Sequence, residues 1–264
     1  MDKLLEAQKN LQAAIKPEFF SVTFGAGGST RDRTLETVKQ LTSNNAAVVA
    51  PHISCMGSTK EQLGQLLETY IEMDIKRLVT LRGDIPENGS AKNMAGNDFS
   101  HANELVAFIR EKTNDHFHIE VAAYPEYHPE SASPEEDFKY FLNKARAGAN
   151  SAITQYFYNA DAYFSFVDKC QAANLNIPVV PGIMPITNYA SLTRFSDNCG
   201  AEIPRWIRKQ LAAYENDTES LQAFGTEVVA NLCATLLGAG APGLHFYTLN
   251  QAEATLRIWD QLDL

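Results

Sequence analysis

The sequence lacks the features that define several large classes of protein. Its four cysteines are scattered and form no C-x-x-C pair, so neither a disulfide framework nor a zinc site is expected. Basic residues number 22 against 32 acidic ones and form no run, which argues against nucleic-acid binding. No uninterrupted apolar stretch reaches the roughly 18 residues of a membrane span, and the amino terminus has no apolar signal core. We therefore expect a cytoplasmic protein that binds neither a membrane nor nucleic acid.

The composition itself is that of an ordinary globular protein. The 264 residues include 45% hydrophobic and 20% charged side chains, which excludes wholesale disorder. No glycine/serine-rich or proline-rich linker divides the chain, so we expect one domain over residues 1–264. The formal net charge of −10 is still compatible with a local basic pocket for one anionic cofactor.

Short β-branched and aromatic runs alternate along the chain with stretches of helical apolar spacing. These runs are Phe19–Phe24, Ala47–Cys55, Arg77–Leu81, His118–Ala123, Ser151–Tyr158, Ile177–Val180 and Gly243–Thr248. Such alternation predicts parallel strands joined by helical crossovers. Over about 260 residues it favours an α/β fold of the TIM (β/α)8 barrel type, with the first strand missing from this chain. An open doubly wound sheet is the alternative, but no G-x-G-x-x-G follows any strand.

Two helices carry clear start signals. Ser58 and Glu61 form a capping box, and Ser133 followed by Pro134 predicts an N-cap for a helix that ends near Gly148. The apolar face after the capping box consists of Leu63, Leu66, Leu67 and Ile71. Further helices are predicted over Met1–Ile15, Asn188–Asp197, Pro204–Tyr214, Thr218–Leu237 and Gln251–Leu262.

Polar residues end the predicted strands repeatedly, and one of them, Gln155, interrupts the fifth. In chain order the polar residues are Thr23, His52, Arg82-Gly83-Asp84, Tyr124-Pro125-Glu126, Gln155, Pro181-Gly182 and Tyr247–Asn250. One such residue would be ordinary, because a strand that reaches solvent ends in polar residues anyway. Seven together predict a polar mouth at the carboxyl ends of the strands, where barrel enzymes place their chemistry.

The Arg82-Gly83-Asp84 segment allows two interpretations. Its Arg and Asp would form a structural ion pair, or Gly83 would let the backbone approach a flat ligand to which Asp84 presents a carboxylate. His52 is likewise either a hydrogen-bonded structural residue or a ligand contact. The six histidines are too dispersed for a metal cluster, so no metal site is predicted.

Seven strings occur in an order and at spacings that resemble methylenetetrahydrofolate reductase. They are SVTFGAGG, APHISC, LRGD, AAYPEYHPE, AITQYFY, PGIMPITN and HFYTLN, and the likeness runs from about Lys16 to the carboxyl terminus. The resemblance implies a (β/α)8 barrel with FAD at its carboxyl-end mouth. It also implies ping-pong chemistry, in which NADH or NADPH reduces the flavin and 5,10-methylenetetrahydrofolate is then reduced to 5-methyltetrahydrofolate. Related bacterial enzymes imply a homo-oligomer.

The resemblance assigns roles residue by residue. The cofactor-binding positions are Thr23, Phe24, Ala26, His52, Arg82, Gly83, Asp84, Ala102, Tyr124, His128, Ser131, Asp137 and Lys144. The substrate-binding positions are Asp84, Gln155, Phe195 and Gln251. Asp84 is the implied catalytic residue, since a carboxylate there would disfavour an anionic reduced flavin and favour a cationic iminium form of the folate.

Three departures from the family pattern stand out. Asn143 and Gln251 occupy positions where the family usually has arginine, so one phosphate contact and one folate contact are expected to be weaker. The family's opening string, roughly S-F-E-F-F-P-P, carries the Glu that acts as general acid, and this sequence contains no such string. We find no replacement beyond Glu126, which has only its strand-end position in its favour. A truncated sequence and a naturally short form both account for the difference.

Opening the five-membered ring of the folate needs a proton on the leaving nitrogen, and a positioned acid contributes about 10²–10⁴-fold. Reduction of a flavin by NAD(P)H needs no such acid. We therefore expect the chain to oxidise NAD(P)H while losing most folate reduction. The alternatives are a flavin-binding pseudoenzyme or interaction protein with the same fold, and a different flavin barrel oxidoreductase.

Overall fold

The computed structural model describes residues 2–24, 28–43, 47–83, 98–262 and 264. The chain divides into two compact units. Unit 1 comprises Met1–Lys16, Ala123–Tyr140 and Ile153–Leu264, and unit 2 comprises Pro17–Ala122 and Phe141–Ala152. A single domain over residues 1–264 stays a prediction.

Helices and strands alternate as the sequence predicts. In chain order the elements are α1 (Asp2–Ala14), β1 (Phe20–Val22), α2 (Gly28–Thr42), β2 (Val49–Ser54), α3 (Lys60–Glu72), β3 (Arg77–Leu81), α4 (Ala102–Thr113), β4 (His118–Ala123), α5 (Pro134–Arg146), β5 (Ser151–Thr154), α6 (Ala160–Ala172), β6 (Val179–Val180), β7 (Gly182–Ile183), α7 (Tyr189–Cys199), α8 (Arg205–Ala213), α9 (Thr218–Gly238), β8 (His245–Phe246) and α10 (Glu253–Trp259). Strands β1 to β6 lie side by side in sequence order, and β7 pairs with β8.

The strand pairing is parallel wherever its register is known. Phe20 aligns with Val49, His52 with Val79, and Gly182 with His245. Parallel neighbours in sequence order, joined by helices, are the pattern of a (β/α)8 barrel. The predicted α/β barrel class is therefore confirmed.

One predicted strand is shorter than expected, and a short strand follows it. The predicted run Ile177–Val180 contributes only Val179–Val180, and Gly182–Ile183 forms the separate strand β7. Pro181 lies between them and has no N–H to donate to a ladder. The Gly182 N–H donates instead to Thr154 Oγ1 at 2.8 Å. The prediction missed β7 because Pro181-Gly182 looks like the end of a strand.

The cap of α3 lies one residue later than the sequence suggests. Thr59, and not Ser58, is the N-cap, and its capping-box partner is Gln62. The buried face therefore ends with Tyr70, which is 1% exposed, while Ile71 is 37% exposed. The helical repeat of 3.6 residues explains the change, because Tyr70 lies seven residues after Leu63 and shares its face. Helix α5 begins at Pro134 as predicted.

A charged cluster joins the amino ends of three strands in unit 2. The buried Glu120 carboxylate accepts hydrogen bonds from Arg77 Nη1 at 2.6 Å and from Ser151 Oγ at 2.5 Å. The same arginine pairs with Glu18, and His118 Nε2 lies 2.7 Å from Ser151 Oγ. Burial, with the positive charge of Arg77 as a second cause, lowers the pKa of His118. We name Glu18, Arg77, His118, Glu120 and Ser151 the amino-end cluster.

Two expectations about composition can be compared with the fold. All four cysteines are free thiols, as predicted, and three of them are buried. Within the described part of the chain, no group of three or more His, Cys, Asp or Glu side chains could hold a metal ion.

The apolar helix α9 corrects the expectation that no segment is long and apolar enough to span a membrane. It has 21 residues and a mean hydropathy of 1.2 over its most apolar window, which is enough for a span by length and composition alone. Uninterrupted apolar runs miss it because Glu219 and Glu227 interrupt the sequence. In unit 1, helices α6, α8 and α10 pack against α9, which is how a core helix is used.

Candidate functional site

In unit 2, the carboxyl ends of β2 and β3 are tied together by backbone and side-chain hydrogen bonds. The Arg82 carbonyl accepts hydrogen bonds from Ser54 Oγ at 2.7 Å and from Met56 N–H at 3.0 Å. His52 is half-buried within β2. The ends of these strands therefore hold His52 and Arg82 on ordered backbone.

The structure gives a reason for glycine at position 83 that does not involve the approach of a flat ligand. The φ of Gly83 is +89°, and a Cβ there would lie 2.1 Å from Ser54 Oγ. The hydroxyl of Ser54 thus occupies the space that a side chain would need, and the left-handed conformation independently favours glycine. The space beside Gly83 is filled by the protein itself, so the absent Cβ is explained without a flat ligand.

The other unit 2 positions named from the sequence are spread over three elements. Thr23 is exposed just after β1, and its carbonyl accepts a hydrogen bond from Thr34 Oγ1 at 3.1 Å. Phe24 is half-buried, and Ala102 is the buried first residue of α4. Ala26 and Asp84 lie outside the described residues.

In unit 1, the segments after β4 and β5 form a shallow depression. Gln155 N–H donates to the Ala123 carbonyl at 2.7 Å, and the Gln155 side-chain oxygen accepts from Tyr156 N–H at 3.1 Å. The depression is lined by residues of three segments: Tyr124, Pro125, Glu126, Tyr127, Gln155, Tyr156, Cys199, Gly200 and Ala201. Two positions named from the sequence, Tyr124 and Gln155, therefore lie at one site.

The loop from Tyr124 to Ser131 is held by several contacts. The rings of Tyr124 and His128 pack edge to face with centroids 4.7 Å apart. The Ser131 hydroxyl donates to Asp137 Oδ1 at 2.9 Å, and the Asp137 side chain is buried at the start of α5. Gly200, with φ +75°, is so close to Pro129 that a Cβ would lie 2.8 Å from its ring. We name residues 124–131 the Tyr124 loop.

Glu126 is the half-buried acid of this loop. Its Oε2 accepts a hydrogen bond from the Glu202 N–H at 2.8 Å. Burial raises the pKa of the Glu126 carboxyl above its ordinary value, and the Glu202 amide opposes that rise in part. Among the residues that the structure describes, no lysine, arginine or histidine forms an ion pair with it.

Buried tyrosine hydroxyls surround the strand ends of unit 1, and each has a partner. Tyr156 OH lies 2.9 Å from Ser196 Oγ, and Tyr247 OH donates to the Thr154 carbonyl at 2.8 Å. Burial raises the pKa of both phenols. These hydroxyls are therefore neutral groups that fix the strand ends.

The remaining positions named from the sequence are not among the residues that line the depression. Lys144 of α5 donates from Nζ to the Ala122 carbonyl at 2.7 Å in unit 2, while Asn143 is exposed. In unit 1, Phe195 of α7 is 37% exposed, with the Arg194 guanidinium 5.6 Å from its ring centre. Gln251 is exposed, and neither Phe195 nor Gln251 lines the depression.

The segment from Cys199 to Ala201 lines the depression but is not predictable from the strand ends. It follows a helix and not a strand, so the strand-end argument does not find it. Gly200 after the end of α7 is a common helix-end signal, but it predicts a cap and no site.

Comparison with known proteins decides the family. The family model described as methylenetetrahydrofolate reductase matches residues 1–263. The chain belongs to the methylenetetrahydrofolate reductase family. The 5,10-methylenetetrahydrofolate reductase of Pectobacterium carotovorum is 35% identical over 98% of this chain and 84% of its own length. That of Escherichia coli is 34% identical over 93% of this chain and 80% of its own length.

A plant relative agrees with this assignment, and a solved structure has the same fold. A rice protein named as a probable methylenetetrahydrofolate reductase (NADH) is 35% identical over the whole chain, which spans 46% of that relative. A Clostridium thermocellum protein that binds two copies of 5-methyl-5,6,7,8-tetrahydrofolic acid has the same fold. It matches with a TM-score of 0.63 and 15% identity over 98% of this chain and 88% of that one. Members of the family named as reductases are oxidoreductases.

Proposed function

We propose that this protein is an FAD-dependent methylenetetrahydrofolate reductase that oxidises NADH or NADPH and reduces 5,10-methylenetetrahydrofolate to 5-methyltetrahydrofolate. The observation that carries the proposal is the family match along nearly the entire chain, with bacterial reductases 34–35% identical over 93–98% of it. The order of events proposed is ping-pong, with the nicotinamide leaving before the folate binds.

The residues of the Tyr124 loop fit the adenosine part of a dinucleotide. Tyr124 and His128 present aromatic rings packed together, and Ser131 and Asp137 present a hydroxyl and a carboxylate that suit ribose hydroxyls. In unit 2, the Lys144 ammonium suits a phosphate. The proposed FAD-binding residues are Thr23, Phe24, Ala26, His52, Arg82, Gly83, Asp84, Ala102, Tyr124, His128, Ser131, Asp137 and Lys144.

When bound, FAD supplies the two-electron hydride chemistry, which no amino-acid side chain offers. The protein's own residues bind and orient the reactants. We propose that Gln155, Phe195 and Gln251 bind the folate, with Phe195 stacking on it or on the nicotinamide in turn. Asp84 would stabilise the positive charge that develops on the folate, since a nearby carboxylate favours a cation.

Absorption spectroscopy tests the proposal in three steps. Purified protein should be yellow, NADH or NADPH should bleach it under anaerobic conditions, and methylenetetrahydrofolate should restore the colour. A colourless protein that takes up no FAD would contradict the proposal. Bleaching without restoration by the folate would identify a flavin-binding protein that has lost folate reduction.

We also propose that the protein is a cytoplasmic homo-oligomer. Light scattering of the purified protein should give a mass that is a multiple of 29.2 kDa. A mass of one chain across the accessible concentration range would contradict this.

A further inference from the structure

Helix α8 in unit 1 presents an outer face of exposed tryptophan and basic side chains. Its apolar side is turned inward, since Ile207 and Leu211 are fully buried. On the outer side Trp206 is 60% exposed, and Arg205 and Lys209 are exposed on the same helix. A tryptophan exposed to this degree leaves apolar area in water, and tryptophan and arginine are enriched in protein interfaces. The outer face of α8 therefore has the composition of an interface.

Aromatic contacts with α9 support Trp206 from one side. Its ring packs edge to face on Phe224 of α9, with ring centres 6.1 Å apart. Tyr214, at the other end of α8, packs on the same phenylalanine with ring centres 6.1 Å apart. A side chain that is already held in position loses less conformational entropy when a partner covers it. These contacts therefore prepare Trp206 for binding while its outer surface stays exposed.

The two exposed cations of α8 have no acidic partner among the residues that the structure describes. Arg205 and Lys209 are four residues apart, so they share one side of the helix, where like charges repel each other. Arg208 differs from them, since it lies 4.0 Å from Asp197. The chain as a whole has a net charge of −10, so this face locally reverses the charge of the molecule. Carboxylates from another molecule would complement it.

The turn after α8 carries the opposite charge. Glu215, Asp217 and Glu219 all lie within six residues of the end of α8, and all three are exposed. Within the described part of the chain, no lysine, arginine or histidine forms an ion pair with them. Between the cations and this acidic turn, Ala212 and Ala213 are exposed and small, so another helix can come close. The surface is thus basic at one end and acidic at the other.

A second copy of the same surface complements both ends at once. In a two-fold interface the same patch is used twice, so the patch must complement itself. Two copies of α8 that pack antiparallel place the basic end of each beside the acidic end of the other. A two-fold axis near Ala212 sets Lys209 opposite Glu215 of the second copy, because each lies three residues from the axis.

We propose that the outer face of α8, together with the acidic turn after it, is a two-fold interface between copies of this chain. The occupant is a second copy because the patch carries both charges in an order that complements itself. The interface buries Trp206 and places the charge pairs at its rim, which is the usual anatomy of a specific interface. This inference rests on the homo-oligomer proposed above and is independent of the reaction.

Charge reversal tests the pairing of the two ends. Lys209→Glu and Glu215→Lys should each weaken self-association by about 10-fold or more, because like charges then meet twice in the interface. A variant with both changes should regain the mass of the wild type at equal concentration. A one-to-one mixture of the two single variants should regain it too, since one copy then supplies only acids and the other only cations. Analytical ultracentrifugation over a concentration series measures these masses.

Removal of the exposed aromatic ring tests the apolar part of the interface. Trp206→Gln should raise the dissociation constant by about 30-fold or more, because buried tryptophans dominate the affinity of many interfaces. Lys9→Glu is the matched control, since it reverses the charge of an exposed lysine on α1 and should leave the mass unchanged. Circular dichroism should show the same helix content in every variant, because each changed side chain is exposed.

The outcomes separate this interface from the proposals above. A wild type with the mass of one chain at all concentrations overturns the homo-oligomer and this interface with it. A wild-type oligomer whose mass survives Trp206→Gln and both charge reversals overturns this interface alone. Loss of mass in the single variants that neither the double variant nor the mixture restores overturns the antiparallel pairing. The colour changes of the flavin test the proposed reaction separately.

Discussion

Glu120 lies inside β4, Glu126 lies in the loop just after it, and their carboxyl groups have very different neighbours. Glu120 is 1% exposed and accepts hydrogen bonds from Arg77 and Ser151. Glu126 is half-buried and accepts one bond from a backbone amide. A partly buried carboxyl without a cation is pushed toward its neutral form, which is the direction found for Glu126. The contacts of Glu120 suit a structural tie between strands.

The largest expected effect comes from removing the cation beside Glu120. Arg77→Met should lower the free energy of unfolding by about 3–5 kcal/mol, because it removes the arginine that pairs with a buried carboxylate. Urea unfolding followed by circular dichroism measures this. Lys76→Met is the control, since Lys76 and Asp74 form an exposed pair that should contribute little. Equal stability of the Arg77 and Lys76 variants would remove the distinction between the two glutamates.

A smaller effect should follow from a change in the support of the Tyr124 loop. Gly200→Ala places a Cβ 2.8 Å from Pro129 at a φ of +75°, so we expect a loss of about 1–3 kcal/mol. Gly238→Ala at the end of α9 meets no atom within 4 Å and should be neutral or slightly stabilising. Comparison of the two melting curves tests this. If Gly200→Ala is as stable as Gly238→Ala, the approach of Pro129 does not hold the loop.

The smallest effect concerns the pH dependence of stability at Glu126. Because its folded pKa is raised, the folded state binds more protons than the unfolded state at pH values just above the ordinary glutamate pKa of about 4.3. Stability of the wild type should therefore fall as the pH rises through that range. Glu126→Gln lacks this fall, so its stability relative to wild type should increase from pH 4 to pH 7. A constant difference across that range would contradict the raised pKa.

Strands buried on both faces are the part of the fold that the sequence predicts best. β3 and β4 have the predicted bounds, because their apolar runs are bordered by charged residues and turns. Shorter elements are less predictable. β7 depends on a hydrogen bond between Gly182 and Thr154, which are distant in sequence, so no local pattern indicates it.

The candidate site likewise contains residues that can be predicted from the sequence and residues that cannot. Tyr124 and Gln155 are predictable because both follow strands whose carboxyl ends lie side by side. The lining segment after α7 is not, since its place depends on packing between Gly200 and Pro129. Gly83 is a third case, in which its role in binding stays a prediction and the absence of a Cβ is explained by the Ser54 hydroxyl.

The order of the strands also bears on how the chain folds during its synthesis. Phe20 pairs with Val49 and His52 with Val79, so each of these strands meets its partner roughly 30 residues after it leaves the ribosome. About 60 further residues must be synthesised after Gly182 before its partner His245 is present. Because closing a longer loop costs more chain entropy and delays contact, the pairing of β7 with β8 should form last. Until then the edge of Gly182–Ile183 is open, and that nascent stage is where a chaperone would protect the chain from aggregation.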